Sequence, residues 1–163
     1  MDKDGVINFL SSLDQKKPLG TELFNAVARV SINVAIEAMA IKKEAGKFKI
    51  FMLQRGLEET FPGQWHFPGT ILRPGDSIDE AFLRLEKNEF KTKVIDKRFV
   101  SFFNNPHGLV EERGHFLHLI YLCHIDRDGS WFDIDDLPEN MVRCHKDDLI
   151  PLVVEYFKNH SDD

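Results

Sequence analysis

The sequence predicts a mixed α/β domain in which a sheet is sandwiched between helices, and three observations carry that prediction. Two β-branched runs precede a Gly- and Pro-punctuated stretch, a segment with a helical apolar stripe follows it, and two further strand-like segments lead into a closing helix. At 163 residues the chain has room for one well-cored domain and is short for two, because domains usually take about 100–200 residues. One domain over 1–163, with a lead-in segment over 1–25, is the expectation. No internal repeat or low-complexity segment interrupts it.

In the lead-in, Val6, Ile7, Phe9, Leu10 and Leu13 are spaced for a short amphipathic helix that ends before Lys16-Lys17-Pro18. From Val30 to Ile41 the β-branched and small residues predict a long strand; Ala45-Gly46-Lys47 supplies a turn, and Lys49 to Leu53 pairs back. Arg55 to Gly75 is turn-rich and contains Trp65-His66-Phe67. Ser77 to Phe90 carries Ile78, Ala81, Phe82 and Leu85 at helical spacing, with Asp76 or Ser77 as N-cap and Glu80 placed for a capping box with Ser77. Arg98–Phe103 and Phe116–Ile125 read as strands joined by a polar loop, which is where function often resides. An acidic loop from Asp126 to Glu139, a short extended piece at Met141–Cys144 and a helix from Asp147 to Lys158 complete the order, with Asp147 and Asp148 suited to the positive end of that helix.

The composition excludes several classes. Hydrophobic content is 42% and charged content 29%, and no run approaches the roughly 20 apolar residues of a membrane span. The start, Met1-Asp2-Lys3-Asp4, lacks the basic and apolar pattern of a secretion signal, so a cytoplasmic address is expected. Cys123 and Cys144 form no CxxC pair and read as small apolar residues. A net charge of −6 without a basic, aromatic-interleaved run argues against broad nucleic-acid binding, which needs clustered Lys and Arg. A small phosphorylated ligand remains compatible, since a local pocket can be positive on an acidic protein.

The chemistry-bearing segment is Phe67-Pro68-Gly69-Thr70, then Arg73-Pro74-Gly75-Asp76-Ser77, then Glu80-Ala81-Phe82-Leu83-Arg84-Leu85-Glu86-Lys87-Asn88-Glu89-Phe90. It resembles the Nudix box, G-x5-E-x7-R-E-U-x-E-E-x-G-U with U a bulky apolar residue. With Thr70 at the opening glycine, Asp76 falls on the first acid, Arg84 on the arginine and Glu89 on the last glutamate, without a gap. Carboxylates three and four apart share one helix face and can hold hard cations against phosphate oxygens, where the cations neutralise charge and position water. The family's other glutamate positions are Leu85 and Asn88 here, so a single carboxylate remains in that cluster.

Within the superfamily the run is similar to the GDP-mannose mannosyl hydrolase branch, in which leucine follows the arginine and the first paired glutamate is lost. That resemblance implies one Mg2+, or Mn2+ in its place, held by Glu89 and by the backbone carbonyl of Gly69 or Thr70, with water attacking the sugar carbon. It also implies a nucleoside diphosphate derivative as the partner and a homodimer as the commonest assembly, while the composition and charge above lead us to expect no nucleic acid and no membrane partner. The branch's diphosphate arginines fall on Gly56 and Ile71, with Arg55 and Arg73 nearby, and its late loop on Leu137 and Pro138, with Asp133, Asp135, Asp136 or Glu139 as substitute ligands. The candidate set is therefore Arg84, Glu89 and His115 for catalysis, with His107, Glu111 and Glu112 as alternative bases, and Arg55, Trp65 and Arg73 for substrate.

Plainer roles stand beside these. Arg84 could pair with Glu80, a contact worth about 0.2–0.5 kcal/mol; Phe67 suits the core; His118, between Leu117 and Leu119, suits a structural position; and 133–139 suits a solvated loop. Two functions follow: a Nudix-type hydrolase of a nucleotide sugar such as GDP-mannose, or a catalytically silent Nudix domain that binds a nucleotide or a protein partner.

Overall fold

The computed structural model describes residues 2–106 and 114–160. Its elements run α1 (Lys3–Ser11), α2 (Thr21–Ala28), β1 (Ile32–Glu44), β2 (Lys47–Phe51), β3 (Leu53–Gln54), β4 (Trp65–His66), β5 (Gly69–Ile71), α3 (Ile78–Leu85), β6 (Val94–Asn105), β7 (His115–Ile125), β8 (Trp131–Asp133) and α4 (Ile150–Asn159). A π-helical turn at Glu86–Phe90 extends α3, and another at His145–Leu149 leads into α4.

The central sheet has the order β6-β7-β1-β2-β8, with β5 also on β1. It is mixed: β1 runs parallel to β7 and antiparallel to β2 and β5. Because side chains alternate across a strand, β1 serves two cores. Ile36, Ala38 and Ala40 face α3, packing with Ala81, Phe82, Leu85 and Phe90. Met39 faces the other way, with Ile50, Met52, Phe67, Ile120, Leu149 and Val153 beneath α4. The expected sandwich is therefore the observed one, with a helix on each side.

Local signals placed α3 well. Ser77 accepts from the Glu80 N–H at 3.1 Å and Glu80 returns the bond to the Ser77 N–H at 2.7 Å, the expected capping box. Some elements were not expected from the sequence. Thr21–Ala28 is helical, with Leu23, Phe24, Val27 and Ala28 at helical spacing and Ala28 buried. Trp131–Asp133, inside the acidic loop, is a strand because Trp131 packs edge-on to Phe51 and its backbone pairs with β2, a tertiary cause that three residues cannot advertise. Both cysteines are buried and neither is in a disulfide, and burial pushes the Cys123 thiol up to about 12, which keeps it unreactive. Among the described residues no helix is long and apolar enough to cross a membrane.

Candidate active site

Beta-strand alternation puts one acid where apolar residues surround it. Glu37 lies between Ile36 and Ala38 on β1 and points to the α4 side of the sheet, 5% exposed. Its β5 neighbour is Gly69, and a Cβ there would stand 2.8 Å from Glu37 Oε2 and 3.2 Å from the Ile36 carbonyl oxygen. Gly69 is thus glycine because a carboxylate and a backbone oxygen occupy the space of a side chain.

Around Glu37 stand three histidines from three elements. His118, from the adjacent β7, brings Nδ1 to 2.9 Å from Glu37 Oε1. His145, from the turn before α4, accepts the Phe67 N–H on Nδ1 at 3.1 Å and stacks on the Phe67 ring at 5.1 Å between centroids. Its proton therefore sits on Nε2, 3.9 Å from Glu37 Oε2, beyond hydrogen-bond reach. His66 donates from Nδ1 to the Phe67 carbonyl at 2.7 Å. Burial pushes the His145 imidazolium down to about 4, so that ring is neutral near pH 7. Burial alone would raise Glu37, but His145, His118 and His66 together outweigh it and hold the carboxyl below its ordinary value.

These groups form the floor of a cavity of about 330 Å3 whose lining also includes Arg55, Glu59, Gly69, Thr70, Ile71 and Glu89. Glu89 projects from the π-helical turn, a distortion common at functional sites. Burial, and after it the Glu59 charge, raises its carboxyl above the ordinary value. Arg55 lies 3.8 Å from Glu59, while its buried Nε meets no hydrogen-bond partner.

The structure thus brings together Glu89, Gly69, Thr70 and Arg55 from the sequence-derived set. The others lie elsewhere. Arg84 pairs with Asp76 at 2.7 Å and donates to the Ile71 carbonyl at 3.0 Å, so it fastens α3 to the loop and to β5, and Glu80 is not its partner. Arg73 donates to the Lys16 carbonyl at the lead-in. Trp65 packs edge-on to Phe132, 4.8 Å between centroids. His115 has Nε2 at 2.6 Å from Asn104 Oδ1, outside the cavity lining. Asp133 takes Lys47 at 2.6 Å on the β2–β8 edge, and Leu137 packs into the core under α4. His107, Glu111 and Glu112 lie outside the described residues.

Sequence reasoning missed Glu37, Glu59, His66 and His145, and it assigned His118 a purely structural place. One signal was available: Glu37 interrupts the apolar run Val34-Ala35-Ile36-Glu37-Ala38-Met39-Ala40, and an acid in a buried strand is the informative exception.

Comparison with known proteins bears on this geometry. No curated protein sequence matches. Among solved structures, NrtR of Shewanella oneidensis in complex with a 27mer DNA is similar at a TM-score of 0.61 and 16% identity, over 77% of this chain and 62% of that one. This chain accordingly spans less than two thirds of the full NrtR chain. The NUDIX domain of the same protein, solved with ADP ribose, is similar at a TM-score of 0.60 and 17% identity over 95% of this chain and 98% of that one. A MutT NUDIX hydrolase from Burkholderia pseudomallei is similar at a TM-score of 0.59 and 16% identity, covering 77% of this chain and 98% of its own. At such identities the likeness is one of fold. The model of the NUDIX domain matches residues 33–152, from the start of β1 into α4. The chain belongs to the NUDIX domain family.

Proposed function

We propose that this domain is a metal-dependent hydrolase of a nucleoside diphosphate linked to another group, with a nucleotide sugar such as GDP-mannose as its substrate. One observation carries the reading: Glu89, the β5 backbone at Gly69 and Thr70, and the Arg55 side chain meet on one cavity although they are far apart in sequence.

The implied ion is Mg2+, or Mn2+ in its place. Among the described residues no group of three or more His, Cys, Asp or Glu side chains is arranged to hold a metal. That donor set still suits Mg2+, which is usually bound by one or two carboxylates with substrate phosphates completing the shell. Support for the fit comes from Glu89 itself: its carboxyl is raised by burial and by the Glu59 charge, and a cation beside it would offset both. When bound, such an ion would neutralise phosphate charge and position water. Glu89 would hold it with the Gly69 or Thr70 carbonyl, and Arg55, with its unpartnered Nε, would bind diphosphate oxygens. Arg84 is a positioning residue here, because its bond to the Ile71 carbonyl steadies β5.

A second reading, a catalytically silent domain that binds a nucleotide in a regulatory role, is favoured by the box itself. Leu85, at a glutamate position of the pattern, is fully buried core, and Asn88 is exposed and uncharged. Purified protein incubated with Mg2+ and a panel of nucleoside diphosphate sugars distinguishes the two. The hydrolase reading expects turnover that falls by at least about 100-fold in Glu89→Gln, together with loss of the Mg2+-induced rise in Tm. Ligand binding without turnover in any member of the panel selects the silent reading.

A further inference from the structure

Two buried polar atoms on the cavity floor have no protein hydrogen-bond partner, Glu37 Oε2 and His118 Nε2. Their residues are 5% and 6% exposed, so bulk water does not satisfy them in the ordinary way. Such groups are rare in folded proteins, and each calls for an explanation. The Nδ1 bond to Glu37 Oε1 orients the His118 ring and leaves Nε2 on its far side. On the β5 side, Oε2 packs on the Gly69 backbone and takes the space a side chain would fill, so its remaining lone pairs look along the cavity side of the strand.

The chemistry of the two atoms selects their ligand. Phosphate oxygens are excluded at Oε2, since two acceptors repel there. An N–H group would suit the carboxylate but oppose His118 Nε2 whenever that nitrogen carries a proton. A hydroxyl donates and accepts, and so serves either state of the ring. Two neighbouring hydroxyls, as on a sugar ring, answer both atoms at once. Position agrees with this. Glu89 and Arg55 mark the part of the cavity suited to a cation and a diphosphate, and the floor lies beside Gly69 next to them.

We propose that Glu37 and His118 determine specificity by reading a vicinal pair of hydroxyls on the sugar ring attached to the diphosphate. This rests on the nucleoside diphosphate reading above. The test is calorimetric titration of the full chain, in Mg2+, with GDP-mannose, UDP-glucose and ADP-ribose, each beside its parent diphosphate. The sugar conjugate that fits should bind about tenfold or more tighter than its parent. That increment should vanish in Glu37→Met and in His118→Phe, with melting curves confirming that both fold.

A second arm needs no variant. In a hexopyranosyl conjugate the 3-hydroxyl belongs to every vicinal pair, and in a ribose joined through C5 the 2-hydroxyl does, so the corresponding deoxy analogue should bind wild type no tighter than the parent diphosphate. An increment that survives both substitutions, or removal of that hydroxyl, overturns the inference and leaves the nucleoside diphosphate reading standing. Equal affinity for conjugate and parent also overturns it. Failure of every diphosphate and conjugate to bind overturns the underlying reading and this one with it.

Discussion

Asp76, at the head of α3, and Glu37, on the cavity floor, have side chains nearly equally hidden from solvent, 3% and 7% exposed. Asp76 is saturated: it accepts from Lys16 Nζ at 2.9 Å, from Arg84 Nη1 at 2.7 Å and from the Arg73 N–H at 2.9 Å. Glu37 is half-satisfied, with His118 on Oε1 and no hydrogen bond to Oε2. A hidden carboxylate whose lone pairs are taken by its own chain is a fastening, whereas one left short of partners next to a cavity is available to a ligand. The first acid of the box thus belongs to the architecture, while Glu37, from outside the box, joins the last box acid, Glu89, at the candidate site.

Substitutions can break this contrast, and the largest effect is expected at the fastening. Asp76→Ala removes three accepting contacts and leaves the Arg84 guanidinium facing only the Ile71 carbonyl, so its Tm should be the lowest of the variants named here. Asp76 titrates at about 2 in the folded protein against an ordinary 3.8, because Lys16 foremost, with the Arg73 N–H and Arg84, favours the ionised form. Its stabilisation is complete above pH 3.8 and is lost as pH falls through about 2, and denaturation curves of the variant should lack that acid limb. A variant as stable as wild type, with the limb intact, would mean that Asp76 fastens nothing.

At the floor the pH window is different. His145 is held neutral by burial, with a folded value of about 4 against an ordinary 6.5, so the unfolded chain binds a proton that the folded one refuses. Its contribution is therefore complete above pH 6.5 and declines as pH falls towards about 4, by on the order of 3 kcal/mol. His145→Phe, which keeps a ring against Phe67, should flatten urea-derived stability across that window, while a slope unchanged by the substitution would exclude His145 as its source. The smallest effect, a loss of about 1–3 kcal/mol from overpacking, is expected for Gly69→Ala, whose new methyl meets Glu37 Oε2 and the Ile36 carbonyl. Neutral behaviour at Gly69 would show that the carboxylate moves aside freely and is not held in place.

How much was legible beforehand follows the range of the interactions. The capping box at Ser77 and Glu80 and the stripe Ile78, Ala81, Phe82 and Leu85 are contained within one turn or two, and they predict α3 because helix formation depends on neighbours three and four apart. The three-residue strand at Trp131–Asp133 has little local pattern, and pairing with β2 makes it, whereas Thr21–Ala28 carries Leu23, Phe24, Val27 and Ala28 at helical spacing, a local signal the sequence reading left unused. The motif likewise marked Glu89 and Gly69, which share the cavity, but it could not separate them from Arg84, whose partner Asp76 lies eight residues earlier on the same box.

The sequence by itself determined the fold class, the position of α3 and the family resemblance of the segment from Phe67 to Phe90, all of which depend on spacing along the chain. Only the tertiary structure decided that Glu37, His66, His118 and His145 meet on one floor, because four separate segments supply them and β1 has to lie between β7 and β5 before they do. A charge's environment is set by what folds against it, and its own neighbours in sequence say little about that.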